Sequence, residues 1–184
     1  MRELSLHILD VLENSVEAGA TRIELLIEED LRGDVLRITV TDNGRGMSED
    51  MVERVLNPFV TTRKTRHVGL GLPLFAAAAQ RCNGDLHIQS QLGVGTTVTA
   101  TFQHSHIDRA PLGDVAGTVL AVILSERPVD IDYRHTLDGC TFELDTAEVR
   151  QELGGVPLSH PLVREWLEAT LREGLAGLQD AAAA

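Results

Sequence analysis

The sequence predicts an α/β sandwich in which helices pack on one face of a mixed, mostly antiparallel sheet. Its N-terminal segment repeats apolar residues at the spacing of an amphipathic helix, namely Leu4, Ile8, Leu9, Leu12 and Val16. Short runs of alternating apolar and polar residues follow, separated by polar or glycine-rich turns, which is typical of antiparallel strands. Hydrophobic residues make up 43% of the 184 positions and aromatic residues only 3%, so we expect an aliphatic core.

The first half of the chain divides into helices and strands by local pattern. Ser48 is a favourable N-cap for a short helix, and the glycines at 69 and 71 open an alanine-rich helix. Helices are predicted at 4–19, 48–56 and 69–81. Strands are predicted at 23–27, 36–40, 85–90 and 96–102, the last two joined by a turn at residues 93–95.

Composition changes after Phe102, where the segment HSHIDRAPLGD is polar and rich in turn-forming residues. We place a boundary there, between a domain at 1–103 and a smaller α+β extension at 104–184. The elements predicted in the extension are a buried strand at 118–124, a hairpin of strands 129–135 and 141–144 around Asp138-Gly139, a short helix capped by Thr146, and a helix at 161–178. We expect the extension to dock a partner or to continue the sheet.

The composition excludes several classes of protein. The formal net charge is -12, and an acidic surface repels phosphate backbones, so no nucleic-acid partner is expected. Cys82 and Cys140 have neither metal-site nor redox spacing, and His104 and His106 have no third ligand near them in sequence. The N-terminus does not resemble a signal peptide, and the apolar run at 115–124 is too short to span a bilayer. We therefore expect a cytoplasmic protein without a membrane partner.

Asp10 and Asn14 lie four residues apart on the first predicted helix and so share one face of it. A carboxylate and an amide oxygen in that arrangement can hold a water molecule and a magnesium ion side by side. An exposed polar helix face carries such a pair equally well. The spacing alone leaves both interpretations open.

The segment Asp42-Asn43-Gly44-Arg45-Gly46-Met47 follows the second predicted strand. Glycines at alternate positions allow the backbone to approach a flat ligand closely. Asp42 can accept a hydrogen bond from the amino group of an adenine. A tight turn with a surface aspartate is the alternative interpretation.

The segment Gly69-Leu70-Gly71-Leu72 opens a predicted helix, where free backbone amides and the positive end of the helix dipole favour a phosphate. Glycine required for helix packing is the alternative. Arg63, Lys64 and Arg66 precede this segment, and a flexible basic loop can close over phosphates. Thr97 opens a later strand and can reach an adenine edge or a bridging water, although threonine is also simply a good strand residue.

In their order and spacing these segments resemble the GHKL superfamily (gyrase, Hsp-type chaperones, histidine kinases and MutL) with its Bergerat-type ATP-binding fold. The resemblance covers about residues 1–103. The segments ENSVEAGATRIEL and DNGRGM look like the MutL branch. The segment NPFVTTRKTRHVGLGLPLF looks more like the sensor histidine kinases.

The resemblance implies that the motif residues bind ATP and Mg²⁺. Asn14 would bind the magnesium ion that bridges the phosphates, and Asp42 would recognise adenine with support from Thr97. Phe59 would anchor a lid that runs from Val60 to Val68. The other residues implied to contact ATP are Gly44, Arg45, Gly46, Met47, Thr62, Lys64, Gly69, Leu70, Gly71 and Leu72.

The sequence departs from the family pattern in three ways. Hydrolysing members usually carry glutamate four residues before the asparagine, and Asp10 stands there instead, with its carboxylate set back by about 1.5 Å, one C–C bond. Asp10 is therefore the candidate general base, and its shorter side chain weighs against hydrolysis but not against binding. The usual glycine two residues before Gly69 is His67. No dimerisation domain with a phospho-accepting histidine is expected ahead of Asp10.

Two classes of function follow from these implications. One is an enzyme, either a slow ATPase switch or a protein kinase that resembles anti-sigma serine kinases or a histidine kinase core acting in trans. The other is a non-hydrolysing ATP-binding subunit of a larger complex. In both classes we expect ATP and Mg²⁺ as ligands. We also expect an unidentified protein partner to bind through residues 104–184. Whether the chain forms a homodimer stays open.

Overall fold

The computed structural model describes residues 2–56, 70–125, 127 and 129–182. The helices are α1 (Leu4–Glu17), α2 (Glu49–Val55), α3 (Gly71–Arg81), α4 (Val115–Ile123), α5 (Thr146–Glu152) and α6 (Pro161–Ala182). The strands are β1 (Arg22–Asp30), β2 (Val35–Asp42), β3 (Leu86–Gln91), β4 (Gly95–Gln103), β5 (Asp130–Leu137) and β6 (Cys140–Asp145). All four strands predicted for the first half are present.

The strands form one mixed sheet in the order β3-β4-β2-β1-β5-β6. The β1–β5 pair is parallel and the other neighbouring pairs are antiparallel. Successive strand residues face opposite sides of the sheet, and on β1 the side chains of Ile23, Leu25 and Ile27 enter the core. Helices α1, α3, α4 and α6 share that core. The predicted α/β sandwich with a mixed, mostly antiparallel sheet is confirmed.

The segment after residue 103 continues the sheet, because β5 pairs along its whole length with β1. The predicted turn at Asp138-Gly139 joins β5 to β6, and both residues have positive φ, 46° and 90°, as a type I′ hairpin turn requires. At the start of α1, the N–H groups of Leu4 and Ser5 donate to carbonyl oxygens of residues 111 and 112 at 2.9 and 2.7 Å. The extension therefore holds the N-terminus of the helix that carries Asp10 and Asn14.

The prediction of a strand at 118–124 is wrong, because residues 118–123 belong to helix α4 and Leu124 is its C-cap residue. Asp114 caps the helix by accepting a hydrogen bond from the Gly117 N–H at 2.9 Å. A short apolar run cannot be assigned to a strand or a buried helix by periodicity alone. Here the helix packs against both α1 and α6, so it is apolar on nearly every side.

The N-cap of α5 also differs from the prediction. Asp145, not Thr146, is the cap residue, and its side chain accepts from the Ala147 N–H at 2.8 Å. The Thr146 hydroxyl instead accepts from the Ile131 N–H at 2.8 Å, at the start of β5. Helix α6 begins at Pro161 as predicted and extends to Ala182.

Candidate functional site

Asp42 ends strand β2 and is 9% exposed, close to helix α1. Its Oδ2 accepts a hydrogen bond from the Ser15 hydroxyl at 2.8 Å, and its Oδ1 accepts one from the Gly44 N–H at 2.8 Å. A carboxylate oxygen has about two lone-pair sites. Each oxygen of Asp42 can therefore accept one further hydrogen bond from a ligand.

The glycines after Asp42 lie where side chains do not fit. A Cβ on Gly44 would lie 2.8 Å from the Ala18 Cβ. Gly46 has a φ of +65°, and a Cβ there would overlap the Gln91 carbonyl. The two glycines therefore allow the loop to pack closely against the end of α1 and the turn between β3 and β4.

Hydrogen bonds fasten this loop to the β3–β4 turn. The Arg45 carbonyl accepts from the Gly93 N–H at 2.8 Å. The Met47 N–H donates to the Ser90 hydroxyl at 2.8 Å, and Ser90 Oγ lies 2.8 Å from Thr96 Oγ1. Because both sides of the loop are bonded, its backbone is pre-positioned beside Asp42.

Thr97 does not share the face of Asp42. In the register of β2 and β4 the partner of Asp42 is Thr96, whereas Thr97 pairs with Thr41. The Thr97 and Thr41 hydroxyls lie 3.2 Å apart on the outer face of the sheet. Thr96, one residue earlier, lies on the face of Asp42, because neighbouring strand residues point to opposite faces of the sheet. The adenine contact predicted for Thr97 stays a prediction.

The structure brings the candidate base and the start of α3 together. Asp10 and Asn14 are both half-buried on α1. Helix α3 begins at Gly71, with Leu70 as its N-cap residue. A Cβ on Gly71 would lie 3.1 Å from Asp10 Oδ2, so glycine leaves room for the carboxylate at this helix end. The backbone amides of Gly71 and Leu72 open the same turn.

Several predicted contacts lie outside the described residues. They are the lid from Val60 to Val68 with its anchor Phe59, the lid residues Thr62 and Lys64, and Gly69. Their predicted roles stay predictions.

His7 is buried on α1 one turn before Asp10, and its ring stacks on Phe75 with ring centroids 5.0 Å apart. Burial, assisted by the charge of the N-terminus, lowers the pKa of His7 to about 4. Its Nδ1 has no hydrogen-bond partner within the described part of the chain. His7 is therefore neutral near pH 7 and packs between α1 and α3.

A second polar cluster, which we call the Glu29 cluster, lies at the other end of β1. Glu29 Oε1 lies 2.9 Å from His135 Nε2, and Glu29 Oε2 lies 2.9 Å from His104 Nε2. The Tyr133 hydroxyl lies 3.0 Å from His135 Nδ1. Burial acts to raise the pKa of Glu29, but hydrogen bonds from His135 and His104 outweigh it and hold that pKa below its ordinary value.

Sequence reasoning missed Ser15 and the Glu29 cluster. Ser15 follows Val11 and Leu12 on the apolar face of α1, which was the available signal for a buried hydroxyl. His104 faces Glu29 and not a second histidine near it in sequence. Within the described ranges, no group of three histidine, cysteine or acidic side chains could hold a metal ion. No helix described here is long and apolar enough to cross a membrane.

Comparison with known proteins identifies the class of this chain. Residues 2–106 match the family model for histidine kinase-, DNA gyrase B-, and HSP90-like ATPases. The match spans more than half of the chain, and it contains Asp10, Asn14, Asp42 and the start of α3. The chain belongs to this ATPase family.

The relatives found by sequence include sensor and sporulation kinases. Sporulation kinase D of Bacillus subtilis is 35% identical over 94 residues, which are 51% of this chain and 18% of that kinase. The tetrathionate sensor histidine kinase TtrS of Salmonella typhimurium is 31% identical over 103 residues, 54% of this chain and 17% of that kinase. The match thus spans less than a fifth of either kinase.

Among solved structures, the N-terminal domain of a DNA repair protein matches with a TM-score of 0.54 and 15% sequence identity. This match covers 79% of this chain and 53% of that chain. The 79% of this chain that this structure matches is more than residues 2–106 contain. The similarity in fold therefore includes part of the extension.

Proposed function

We propose that this chain binds Mg-ATP between α1, the start of α3 and the loop after β2, and that it acts as a slow ATPase or ATP-dependent regulatory switch on a partner protein. The observation that carries the proposal is the Asp42 carboxylate. It is buried, held by Ser15 and Gly44 at 2.8 Å each, and able to accept further hydrogen bonds. An adenine amino group is a donor that fits this acceptor.

The residues around Asp42 fit an adenine base. A Cβ on Gly44 would lie 2.9 Å from Asp42 Oδ1, so glycine leaves that oxygen open to the base, and Arg45 and Met47 would pack against the base. Thr96, the direct strand partner of Asp42, would also support Asp42. The base end of the site would thus be formed by the end of β2, the start of β4 and the loop between β2 and α2.

The phosphate end of the site would lie where α1 meets α3. Gly71 and Leu72 would direct backbone amides toward the phosphates, at the positive end of the α3 dipole. Asn14 would hold Mg²⁺, which when bound offsets the negative charge of the phosphates. Amide oxygen is a suitable ligand for this hard cation.

Slow hydrolysis would use Asp10 as the general base. In that step a water oxygen attacks the terminal phosphorus, the bond from phosphorus to the ADP oxygen breaks, and Asp10 takes the proton of the water. Asp10 lies beside the start of α3, as this role requires, because a Cβ on Gly71 would approach its carboxylate to 3.1 Å. Its short side chain is consistent with slow turnover.

Partner binding through residues 104–184 is supported by two apolar side chains on α6. Leu162 and Trp166 are 71% and 49% exposed on consecutive turns of that helix. Large apolar side chains exposed together mark interaction sites more often than single ones do. The same surface would serve a homodimer.

A protein kinase is the second candidate function. It is supported by the similarity to sporulation kinase D and TtrS, which are described as kinases. In that function the terminal phosphoryl group would be transferred to a side chain of a separate protein instead of to water. A non-hydrolysing ATP-binding subunit is the third alternative.

The discriminating experiment measures binding and phosphate transfer separately. Calorimetry with Mg-ATP tests binding, and ATP labelled in the terminal phosphate is then followed with and without candidate partner proteins. Free phosphate would support the switch, labelled partner would support the kinase, and binding without turnover would support the regulatory subunit. Absence of Mg-ATP binding would contradict the proposal. A Trp166→Glu variant that keeps ATP binding but loses a partner's effect would assign the partner to α6.

A further inference from the structure

We propose that Ser15 is a positioning residue for adenine recognition. Its hydroxyl holds the Asp42 carboxylate in the orientation that accepts an adenine amino group. The inference rests on the proposed ATP-binding function and adds the residue through which α1 sets base selectivity.

The geometry around Ser15 assigns its single hydroxyl hydrogen. Ser15 is 2% exposed, and its Oγ lies 2.8 Å from Asp42 Oδ2 and 3.2 Å from the Val11 carbonyl oxygen. A serine inside a helix commonly donates to the carbonyl four residues earlier. The carboxylate of Asp42 is the nearer acceptor, and hydrogen bonds to an ionised acceptor are the stronger ones. The hydrogen therefore goes to Asp42.

Two donors from different elements then fix the carboxylate. Ser15 on α1 holds Oδ2, and the Gly44 N–H in the following loop holds Oδ1, also at 2.8 Å. Rotation of the carboxylate would break both hydrogen bonds at once. The lone pairs that remain on Asp42 therefore point in set directions before any nucleotide arrives, and this pre-organisation lowers the cost of binding.

This arrangement selects for an amino group. Ser15 and Gly44 donate their hydrogens to the carboxylate, so Asp42 presents only acceptors to a ligand. The amino group of adenine donates to such an acceptor. A carbonyl oxygen at the same position, as in guanine or hypoxanthine, would be repelled by it. A binding site with unpaired buried polar groups discriminates strongly.

Ser15 also connects the two ends of the site. It directly follows Asn14, the candidate Mg²⁺ ligand, on the same turn of α1. A rigid helix turn thus contributes one residue to the base and one to the metal. Movement of α1 relative to β2 would disturb both ends of the site together.

The test compares Ser15→Ala with the native chain on two nucleotides. One is Mg-ATP, and the other is purine riboside triphosphate, in which hydrogen replaces the amino group. Calorimetry should show ATP affinity reduced about tenfold in Ser15→Ala, because a hydrogen bond to a charged group is lost. Affinity for the analogue should not change. Ser5→Ala is the matched control, since Ser5 is a buried serine of the same helix that donates to Glu3.

The outcomes separate this inference from the proposed function. Equal weakening of both nucleotides in Ser15→Ala would give Ser15 a purely structural role and overturn the inference, as would unchanged ATP affinity. A native chain that binds ATP and the analogue equally would remove adenine recognition from Asp42, and with it the role of Ser15. A native chain that binds neither nucleotide would contradict the proposed function before any variant is made.

Discussion

At the scale of single residues, the site depends on a carboxylate whose orientation is set from two sides. Asp42 accepts hydrogen bonds from a helix side chain and from a loop amide, each at 2.8 Å. Neither donor is near the other in sequence, so the arrangement exists only once α1 packs on β2. Substitutions that keep the shape of Asp42 but change its hydrogen bonding therefore test the site directly.

Asp42→Asn should weaken Mg-ATP binding about tenfold to a hundredfold. The amide retains one acceptor oxygen but introduces a donor where Ser15, Gly44 and adenine also donate. Calorimetry measures the affinity, and thermal unfolding checks that the fold is retained. Asp85→Asn, at an exposed aspartate before β3, is the control and should bind ATP like the native chain. Unchanged affinity in Asp42→Asn would show that Asp42 does not bind adenine.

Substitutions at Asp10 and Asn14 should separate chemistry from binding. Asp10→Asn should lower any turnover by about 10²–10⁴-fold while ATP still binds, because a general base is lost. Asn14→Ala should instead remove Mg²⁺-dependent binding of ATP itself, because the metal loses its candidate protein ligand. Asp10→Glu should raise turnover, since Gly71 has no side chain to obstruct a longer carboxylate.

The assay for these variants is phosphate release, with calorimetry for binding. Glu13→Gln, at an exposed acidic residue of the same helix, is the control and should leave turnover unchanged. Turnover unaffected by Asp10→Asn would exclude this carboxylate as the base. No turnover with either Asp or Glu at position 10 would favour the regulatory subunit.

The sequence was informative about residues wherever a motif has its own local signature. Gly44 and Gly46 stand out because alternate glycines follow a strand, and the structure gives each a tight environment. The sequence does not reveal the register of β4 on β2, so it cannot tell which threonine of β4 lies opposite Asp42. Ser15 does not stand out in the sequence, because its importance depends on a hydrogen bond to Asp42, which is distant in sequence.

At the scale of elements, α4 shows that a buried helix can have the same short apolar sequence pattern as a strand. It begins after Asp114, which caps the Gly117 N–H at 2.9 Å, and it is buried between α1 and α6. Its β-branched residues favour a strand by local propensity, but tertiary packing overrides that weak preference. The other predicted helices and strands had a clear polar face or a flanking turn, and those patterns predicted their type correctly.

Asp114→Ala should destabilise the protein by about 0.5–2 kcal/mol, because the first turn of α4 loses its side-chain cap. Asp114→Asn should retain most of the stability, since asparagine is an equally good N-cap. Urea unfolding followed by circular dichroism measures both free energies of unfolding. Equal stability of the alanine variant and the native chain would show that this cap does not contribute.

At the scale of the whole molecule, the Glu29 cluster joins three parts of the sheet. Glu29 lies on β1, His135 on β5, and His104 just beyond β4. The three side chains are largely buried, with side-chain exposures of 13%, 8% and 19%. A carboxylate shared by two histidines thus connects the first half of the chain with the extension.

Glu29→Gln should lower the free energy of unfolding at pH 7 by about 1–3 kcal/mol, because charged hydrogen bonds in a buried cluster are weakened. The pKa of Glu29 in the folded state lies below its ordinary value of 4.5. The stabilisation that ionised Glu29 gives to the folded state is therefore complete above pH 4.5. It is lost as pH falls through the folded-state pKa. The native chain should lose stability more steeply than the variant in that acid range.

The control for this prediction is Glu28→Gln. Glu28 is the neighbour of Glu29 on β1, and it makes an exposed ion pair with Arg37 at 3.3 Å, so its loss should change stability little. Both variants should keep the loss of stability between pH 6.5 and 4 that His7 causes, because the folded-state pKa of His7 is lowered to about 4. The prediction would be contradicted if Glu29→Gln and the native chain lost stability equally steeply as pH falls below 4.5.

The sheet order is the feature that sequence could not supply. Local alternation identified β1 and β5 as strands but carries no information about which strands are neighbours. Their parallel pairing forms together with the packing of α4 and α6 against β5, which joins segments far apart in the sequence. Sequence alone therefore does not decide whether the extension docks a partner or continues the sheet.

The parallel pairing of β1 with β5 has a consequence for synthesis of the protein. Arg22 pairs with Asp130, more than a hundred residues later in the chain. On the ribosome, β1 therefore emerges long before its neighbour and keeps one edge of unpaired N–H and C=O groups in the meantime. Such an edge is open to pairing with other chains. Completion of this part of the sheet waits until β5 has emerged, and a nascent chain halted before Leu137 leaves the edge of β1 open to its surroundings.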